Sequence, residues 1–180
     1  MVETEAFLRN AIDTHGDAVY RLALCRLQNT ADAEDVFQDV FLHLLKEKNV
    51  GQWNSEHLKA WLLRVTINCC HNLVRNRLRR KVISLEEVPE VTSELTESDY
   101  ELWEALGRLP AKYRIVVLLY YVEGYKTEEI ADLIQCPDAT VRSRLYRGRR
   151  KLKKMMGGNL DEEPLQRYDG ENQGPEFLER

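Results

Sequence analysis

The sequence predicts an all-α protein: two small helical domains joined by an acidic flexible linker, the second containing a helix-turn-helix. Three observations lead there. Apolar residues recur at helical spacing along most of the chain, and few stretches alternate with period two. Only 9 Gly and 5 Pro interrupt the 180 residues. Charge, finally, is segregated behind a net value of only −4. From His57 to Leu85 there is no acid, only Lys59, Arg64, Arg75, Arg77, Arg79, Arg80 and Lys81. From Val82 to Gly107 there is no base, and Glu86, Glu87, Glu90, Glu94, Glu97, Asp99, Glu101 and Glu104 crowd together. No acid then occurs between Asp138 and Asp161. Two basic zones separated by an acidic connector suit one polyanionic partner touched at two places.

The first domain is expected over residues 1–83. Residues 4 to 27 read as helix with a break near His15-Gly16, striped first by Phe7, Leu8, Ala11 and Ile12 and then by Val19, Tyr20, Leu22, Ala23, Leu24 and Leu27. After a turn at Gln28-Asn29-Thr30, a helix from about Ala31 to Lys48 carries Val36, Phe37, Val40, Phe41, Leu44 and Leu45 on its apolar side. Asp32, Glu34, Asp35 and Asp39 make its first half acidic, which reads as a solvated face or as a docking surface for a basic partner. A loop over Asn49–Ser55 presents Trp53. The next helix, His57 to about Lys81, begins apolar (Leu58, Trp61, Leu62, Val65, Ile67) and ends basic. Its Asn68 and Asn72, four apart, place two amides on one face, suited to plain solvent or to hydrogen-bonding unstacked bases.

Residues 84–98 are acidic, contain Pro89 and lack the apolar content to order themselves, so they read as the linker. The second domain, 99–156, starts with a helix bearing Leu102, Trp103, Leu106 and Leu109. Pro110 opens the next helix, whose core residues are expected to be Ile115, Val116, Leu118, Leu119 and Val122, and Gly124 ends it. Residues 157–180 read as a flexible acidic tail.

Thr127 to Lys154 is the most constrained text in the chain. Thr127 is the expected N-cap of a short helix with Glu128 and Glu129 in its first turn and Ile130, Leu133 and Ile134 as its stripe. Pro137 stops that helix, and Asp138 is the expected cap of the next. At about 100° per residue, Val141, Leu145, Gly148 and Leu152 share a narrow arc. Ser143, Arg147, Arg150 and Lys154 lie opposite, with Arg142, Arg144 and Tyr146 on the flanks. One face packs and the other meets phosphate, as in a helix-turn-helix entering the major groove. A merely solvated helix would interleave Glu with these arginines at i,i+4.

Other classes find little support. Cys25, Cys69, Cys70 and Cys136 have no CxxC spacing and read as small buried hydrophobes in a reducing compartment. Adjacent Cys69, Cys70 and His71 point about 100° apart on a helix, so no metal and no cofactor is expected. The acidic, amphipathic start is unlike a signal peptide, and no apolar run reaches the ~20 residues of a membrane span, so a cytoplasmic protein without membrane insertion is expected. No nucleophile–base grouping or Gly-rich phosphate loop suggests an enzyme or a small-molecule substrate.

Three stretches together resemble the extracytoplasmic-function group of bacterial sigma factors, the two-domain form of the sigma-70 family. DAEDVFQDVFLHL (Asp32–Leu44) and WLLRVTINCCHNLVRNRLRR (Trp61–Arg80) are similar to parts of its second conserved region. LPAKYRIVVLLYYVEGYKTEEIADLI (Leu109–Ile134) with ATVRSRLYRGRRKL (Ala139–Leu152) is similar to its fourth. The chain departs from the family at Ala139-Thr140, where Gly-Thr is usual, at Gln135, where Gly is common, and at Asn76, where Asp is frequent. Gln135 suggests a turn that is less strained or differently shaped, and Asp138 adds a negative charge near DNA.

The resemblance implies a non-catalytic specificity subunit whose partners are core RNA polymerase, promoter DNA and an anti-sigma factor. It implies docking on core polymerase through Asp35, Gln38 and Asp39. It implies that Asn68 and Asn72 read the opened −10 strand, with Arg64, Arg75 and Arg77 near phosphate. For the −35 duplex it implies Arg142, Ser143, Tyr146 and Arg147 in the major groove, with Lys126, Thr127 and Thr140 beside them. The alternative is a helix-turn-helix regulator with an N-terminal dimerisation or sensing domain that acts without core polymerase. The acid-free basic helix at 57–85 argues against it, because a sensing domain has no need of that surface.

Overall fold

The computed structural model describes residues 2–48, 50–80 and 97–157, and every regular element among them is helical. The chain divides into two compact units between Val91 and Thr92. Of the linker expected over 84–98, only Glu97 and Ser98 are among the described residues, and they open a helix. Of the tail expected over 157–180, only Gly157 is.

The first unit packs three long helices against one another: α1 (Val2–Leu27), α2 (Thr30–Lys46) and α3 (Ser55–Arg80). Its core joins Ala11, Val19, Ala23 and Leu24 of α1 to Val36, Val40, Phe41 and Leu44 of α2 and to Leu58, Leu62 and Cys70 of α3. Each large aliphatic side chain buried there is worth roughly 1.5–3 kcal/mol. The break expected at His15-Gly16 does not occur, and α1 runs through it. A helix-interior Gly costs about 1 kcal/mol, which burial along α1 readily outweighs. At Gly16 a Cβ would stand 3.5 Å from the Phe37 ring, an ordinary contact distance, so α1 packs against α2 closely there without requiring a glycine.

Local chemistry sets the helix ends. Asn29 caps α2, its Oδ1 accepting from the Asp32 N–H at 2.9 Å, and Gln28 before it takes a left-handed turn at φ 52°. Asn54 caps α3 through the His57 N–H at 2.7 Å. A single tight turn at Val50–Gln52 lies in the expected loop. Trp53 is half-buried there rather than exposed, its ring centroid 5.5 Å from that of Trp61 and 4.9 Å from that of His57. Leu45, assigned above to the buried stripe, is 45% exposed.

The second unit comprises α4 (Glu97–Arg108), α5 (Ala111–Val117), α6 (Thr127–Ile134) and α7 (Asp138–Met155). Arg114 is buried at 6% exposure, and its Nε and Nη2 donate to the Leu109 carbonyl at 3.2 and 2.9 Å. That places a cation on the carbonyl just past α4, where the helix dipole favours it. After Val117 the helix widens over Leu118–Val122, with the Glu123 N–H reaching back five residues to Leu118 O at 3.1 Å. Such a turn inserts one residue into the helical phase. Leu118 and Leu119 stay in the core, but Val122 is carried outward to 41% exposure, against its expected core position. Gly124, at φ +76°, supplies the left-handed residue that ends this stretch.

Candidate nucleic-acid interface

α6, a tight turn and α7 form the helix-turn-helix, with caps that differ from expectation. Lys126, not Thr127, is the N-cap of α6, and its N–H donates to Glu129 Oε2 at 2.7 Å. Thr127 is the first helical residue and is half-buried, while Lys126 is exposed. Pro137, not Asp138, precedes α7, and its carbonyl accepts from the Thr140 and Val141 N–H groups at 2.8 and 3.2 Å. Asp138 begins the helix itself, and its Oδ2 pairs with Arg142 Nε at 2.8 Å. The extra negative charge is thus neutralised one turn along the same helix.

The turn is neither relaxed nor reshaped by its missing glycine. Gln135 sits at φ 53°, ψ 54°, the left-handed conformation a glycine would take there, and the Cys136 N–H closes the helix end onto Ala131 O at 3.0 Å. A residue with a Cβ pays roughly 1–2 kcal/mol for this region. Gln135→Gly is therefore expected to stabilise the unit by about 0.5–1 kcal/mol, after the greater freedom of glycine in the unfolded chain is subtracted. Thermal denaturation followed by circular dichroism checks it, and a lowered melting temperature refutes the strain.

On α7 the buried residues are Val141, Leu145, Gly148 and Leu152, the arc read from spacing. Arg142, Ser143, Tyr146 and Arg147 are exposed, and Thr140 is half-buried. Tyr146 is 44% exposed with the Arg150 guanidinium 5.7 Å from its ring centroid. Sequence reasoning missed one partner of this face. Tyr113, on α5, hydrogen-bonds Arg147, and that bond, with help from Lys112 and against the effect of burial, lowers the phenol from its ordinary range. The hint available was only its place four residues before Val117, on the side of α5 that meets α7.

In the first unit, α3 carries Arg64, Asn68, Asn72 and Arg75 exposed along one line at spacings of four, four and three. Asn72 Oδ1 accepts from Arg75 Nη2 at 2.8 Å, so the amide and the guanidinium form one polar group. Arg77 does not join them. At about 100° per residue it lies about 200° from Arg75. It reaches α2 instead: Nη2 donates to Asp32 Oδ1 and Nη1 contacts Oδ2. Asp32 is correspondingly buried at 5% exposure and is no part of the acidic outer face. Its Oδ2 has the ion contact but lacks hydrogen-bond alignment.

That outer face of α2 holds exposed Asp35, Gln38 and Asp39, and one turn further Leu42 at 51% and Leu45 at 45% exposure. The surface is thus acidic at one end and apolar at the other. Elsewhere, burial pushes the Cys70 thiol up to about 12 and raises Cys69, while His71 beside them is exposed. Among the described residues, no three His, Cys, Asp or Glu side chains are arranged to hold a metal ion, and no helix is long and apolar enough to cross a membrane.

Comparisons with known proteins agree with both units. The family model described as Sigma-70 region 2 matches residues 11–81, and that described as Sigma-70, region 4 matches residues 99–152. The chain is 32% identical over 161 residues to the ECF RNA polymerase sigma factor SigE of Mycolicibacterium smegmatis, covering 82% of this chain and 61% of that protein. It is 31% identical over 147 residues to the RNA polymerase sigma factor SigV of Bacillus subtilis, covering 80% and 87%. The chain thus spans less than two thirds of the first relative's length. The fold is similar to that of the sigma factor RpoE from Bartonella quintana, solved with the anti-sigma factor NepR, at a TM-score of 0.68 and 23% identity over 86% of this chain and 98% of that one. It is also similar to CnrH, solved with the cytosolic domain of CnrY, at 0.57 and 20% over 85% and 89%. The chain belongs to the sigma-70 family, in its extracytoplasmic-function group.

Proposed function

We propose that this protein binds core RNA polymerase in the cytoplasm and directs promoter recognition, DNA melting and transcription initiation, as a specificity subunit with no catalysis of its own. One observation carries the reading: a single chain combines the exposed polar line of α3 with an outward-facing basic recognition helix in a separate unit. In this reading residues 1–83 dock on the polymerase and hold the −10 strand, 84–98 link, 99–156 read the −35 duplex, and 157–180 form a tail. Asp35, Gln38 and Asp39 meet the polymerase, joined by Leu42 and Leu45. Arg64, Asn68, Asn72 and Arg75 meet the opened strand, while Arg77 acts through its pair with Asp32. Arg142, Ser143, Tyr146 and Arg147 enter the major groove, and Lys126, Thr127 and Thr140 flank them. The two similar structures solved with anti-sigma or cytosolic partners support an anti-sigma protein as a further partner.

Run-off transcription tests this. Core polymerase with the protein is expected to initiate on a subset of a library of upstream regions that core alone ignores. Asp39→Arg, which places a cation on the acidic docking face, is expected to lower both core retention in a pull-down and transcript yield by an order of magnitude or so. Full retention of that variant refutes the docking face. Sequence-specific protection of a palindrome by the protein alone, without transcripts in the presence of core, refutes the reading as a whole.

A further inference from the structure

The basic face of α7 runs past the residues placed in the major groove. Arg150, Lys151, Lys153 and Lys154 stand exposed within its last two turns. The Arg150 guanidinium lies over the Tyr146 ring, 5.7 Å from its centroid. Among the described residues, no acid pairs with any of these four cations, and Asp138 is already held by Arg142. The helix dipole favours cations in a last turn, yet at spacings of three and four these side chains repel one another. An anionic segment lying along them relieves that repulsion. Gly157, at φ +77°, ends the helix in the left-handed conformation, so the chain that follows turns off the axis of α7. That chain, residues 158–180, lies outside the described residues, and only its sequence is used. From Gly158 to Glu171 it holds Asp161, Glu162, Glu163, Asp169 and Glu171 against one base, Arg167. Extended backbone spans about 3.3–3.6 Å per residue, and a helix rises about 1.5 Å. Asp161, Glu162 and Glu163 can therefore reach roughly 13–20 Å from Gly157, enough to lie along Lys154 back to Arg150. Asp169 can reach roughly 40 Å, whereas Arg147 stands only about 15 Å back along the helix.

We propose that the acidic segment Asp161–Glu171 docks on the outer face of α7 and competes there with duplex DNA. Asp161, Glu162 and Glu163 lie over Arg150, Lys151, Lys153 and Lys154, and Asp169 and Glu171 extend toward Arg147. The proposal rests on the reading that α7 binds duplex. The covalent tether makes so weak a set of contacts effective. A segment joined by a short linker meets its target at a millimolar effective concentration, although each exposed ion pair contributes little. Occupancy is therefore partial and reversible. Duplex DNA carries one negative charge per about 1.7 Å of its axis and displaces the segment where its own contacts are good. Non-specific duplex, held by charge alone, loses most from the competition, so the segment sharpens promoter choice at this helix.

The experiment compares the full chain with a full-length variant carrying Asp161→Asn, Glu162→Gln, Glu163→Gln, Asp169→Asn and Glu171→Gln. Anisotropy measures the binding of each to a fluorescent duplex of random sequence, about 30 base pairs long, at low and at moderate KCl. The variant is expected to bind about 5-fold more tightly at low salt, with the advantage falling below about 2-fold once the Debye length shortens. Simple repulsion between the acidic segment and DNA would give a similar trend, so a second arm examines both proteins without DNA. Backbone amide resonances of the ¹⁵N-labelled proteins are expected to differ at Arg147, Arg150, Lys151, Lys153 and Lys154, and not along α1, α2 or α3. Identical resonances along α7 overturn the docking, whatever the duplex affinities. Equal duplex affinities of the two proteins overturn the competition while leaving the functional reading standing. Absence of duplex binding by both proteins overturns the functional reading and the competition together.

Discussion

Arg77→Met should destabilise the first unit by about 3 kcal/mol, a fall in melting temperature on the order of 15 °C for a domain of this size. The argument turns on what each partner leaves behind. The Asp32 side chain is only 7% exposed, so removal of Arg77 strands a carboxylate that water barely reaches. The Arg77 side chain is 35% exposed, so removal of Asp32 lets the guanidinium turn outward into solvent. Asp32→Asn is therefore expected to cost only about 1 kcal/mol. Replacing both partners should cost less than Arg77→Met alone, because the uncompensated buried charge disappears with Asp32. Denaturant melts of the four proteins measure the cycle. Equal losses for the two single variants would show that the pair behaves as a surface contact, worth well under 1 kcal/mol.

This pair also explains the limit of reading charge from the sequence. Composition places Asp32 in an acidic face and Arg77 in a basic zone. The fold joins them because α2 and α3 pack side by side, bringing residues 45 positions apart into contact. No local pattern encodes that register. The expectation grouped Arg77 with Arg64 and Arg75 near phosphate, although at about 100° per residue its helical phase sets it on the side away from Arg64, Asn68, Asn72 and Arg75. Where burial follows from spacing on a single regular helix, the reading is sound, as Val141, Leu145, Gly148 and Leu152 demonstrate.

Irregular backbone defeats the same method. A wheel drawn through Ile115 to Val122 assumes constant phase, but the widened turn at Leu118–Val122 breaks it and turns Val122 outward. Gln135 misleads for a related reason. Residue preference speaks against φ 53° there, yet the packing of α6 and α7 on either side imposes it. The docking face was half legible. Its carboxylates stand out in sequence, whereas exposed Leu42 and Leu45 look like any other leucines until the third helix of the bundle is in place.

Gly148 carries the second large expectation, because it marks the closest approach of α7 to α5. A Cβ there would stand 2.9 Å from Val117 Cγ2 and 3.4 Å from Tyr113 Cβ. Two effects oppose each other in Gly148→Ala. Helix propensity favours alanine by about 1 kcal/mol, while overpacking a filled core costs typically 1–3 kcal/mol. Val117 is β-branched, 3% exposed and confined on its own helix, so its methyl cannot move aside cheaply. Tyr113 Cβ is fixed to the backbone. Overpacking should win, leaving Gly148→Ala less stable by about 1–2 kcal/mol. Val117→Ala opens the needed space, and although it is destabilising by itself, the double variant should be more stable than the sum of the two losses by about 1 kcal/mol. Duplex affinity should follow the same cycle, since displacing α7 from α5 moves Arg147 away from Tyr113. If Gly148→Ala instead raises the melting temperature, the helices have room to part, and the recognition helix is less firmly seated than the contact at Val117 requires.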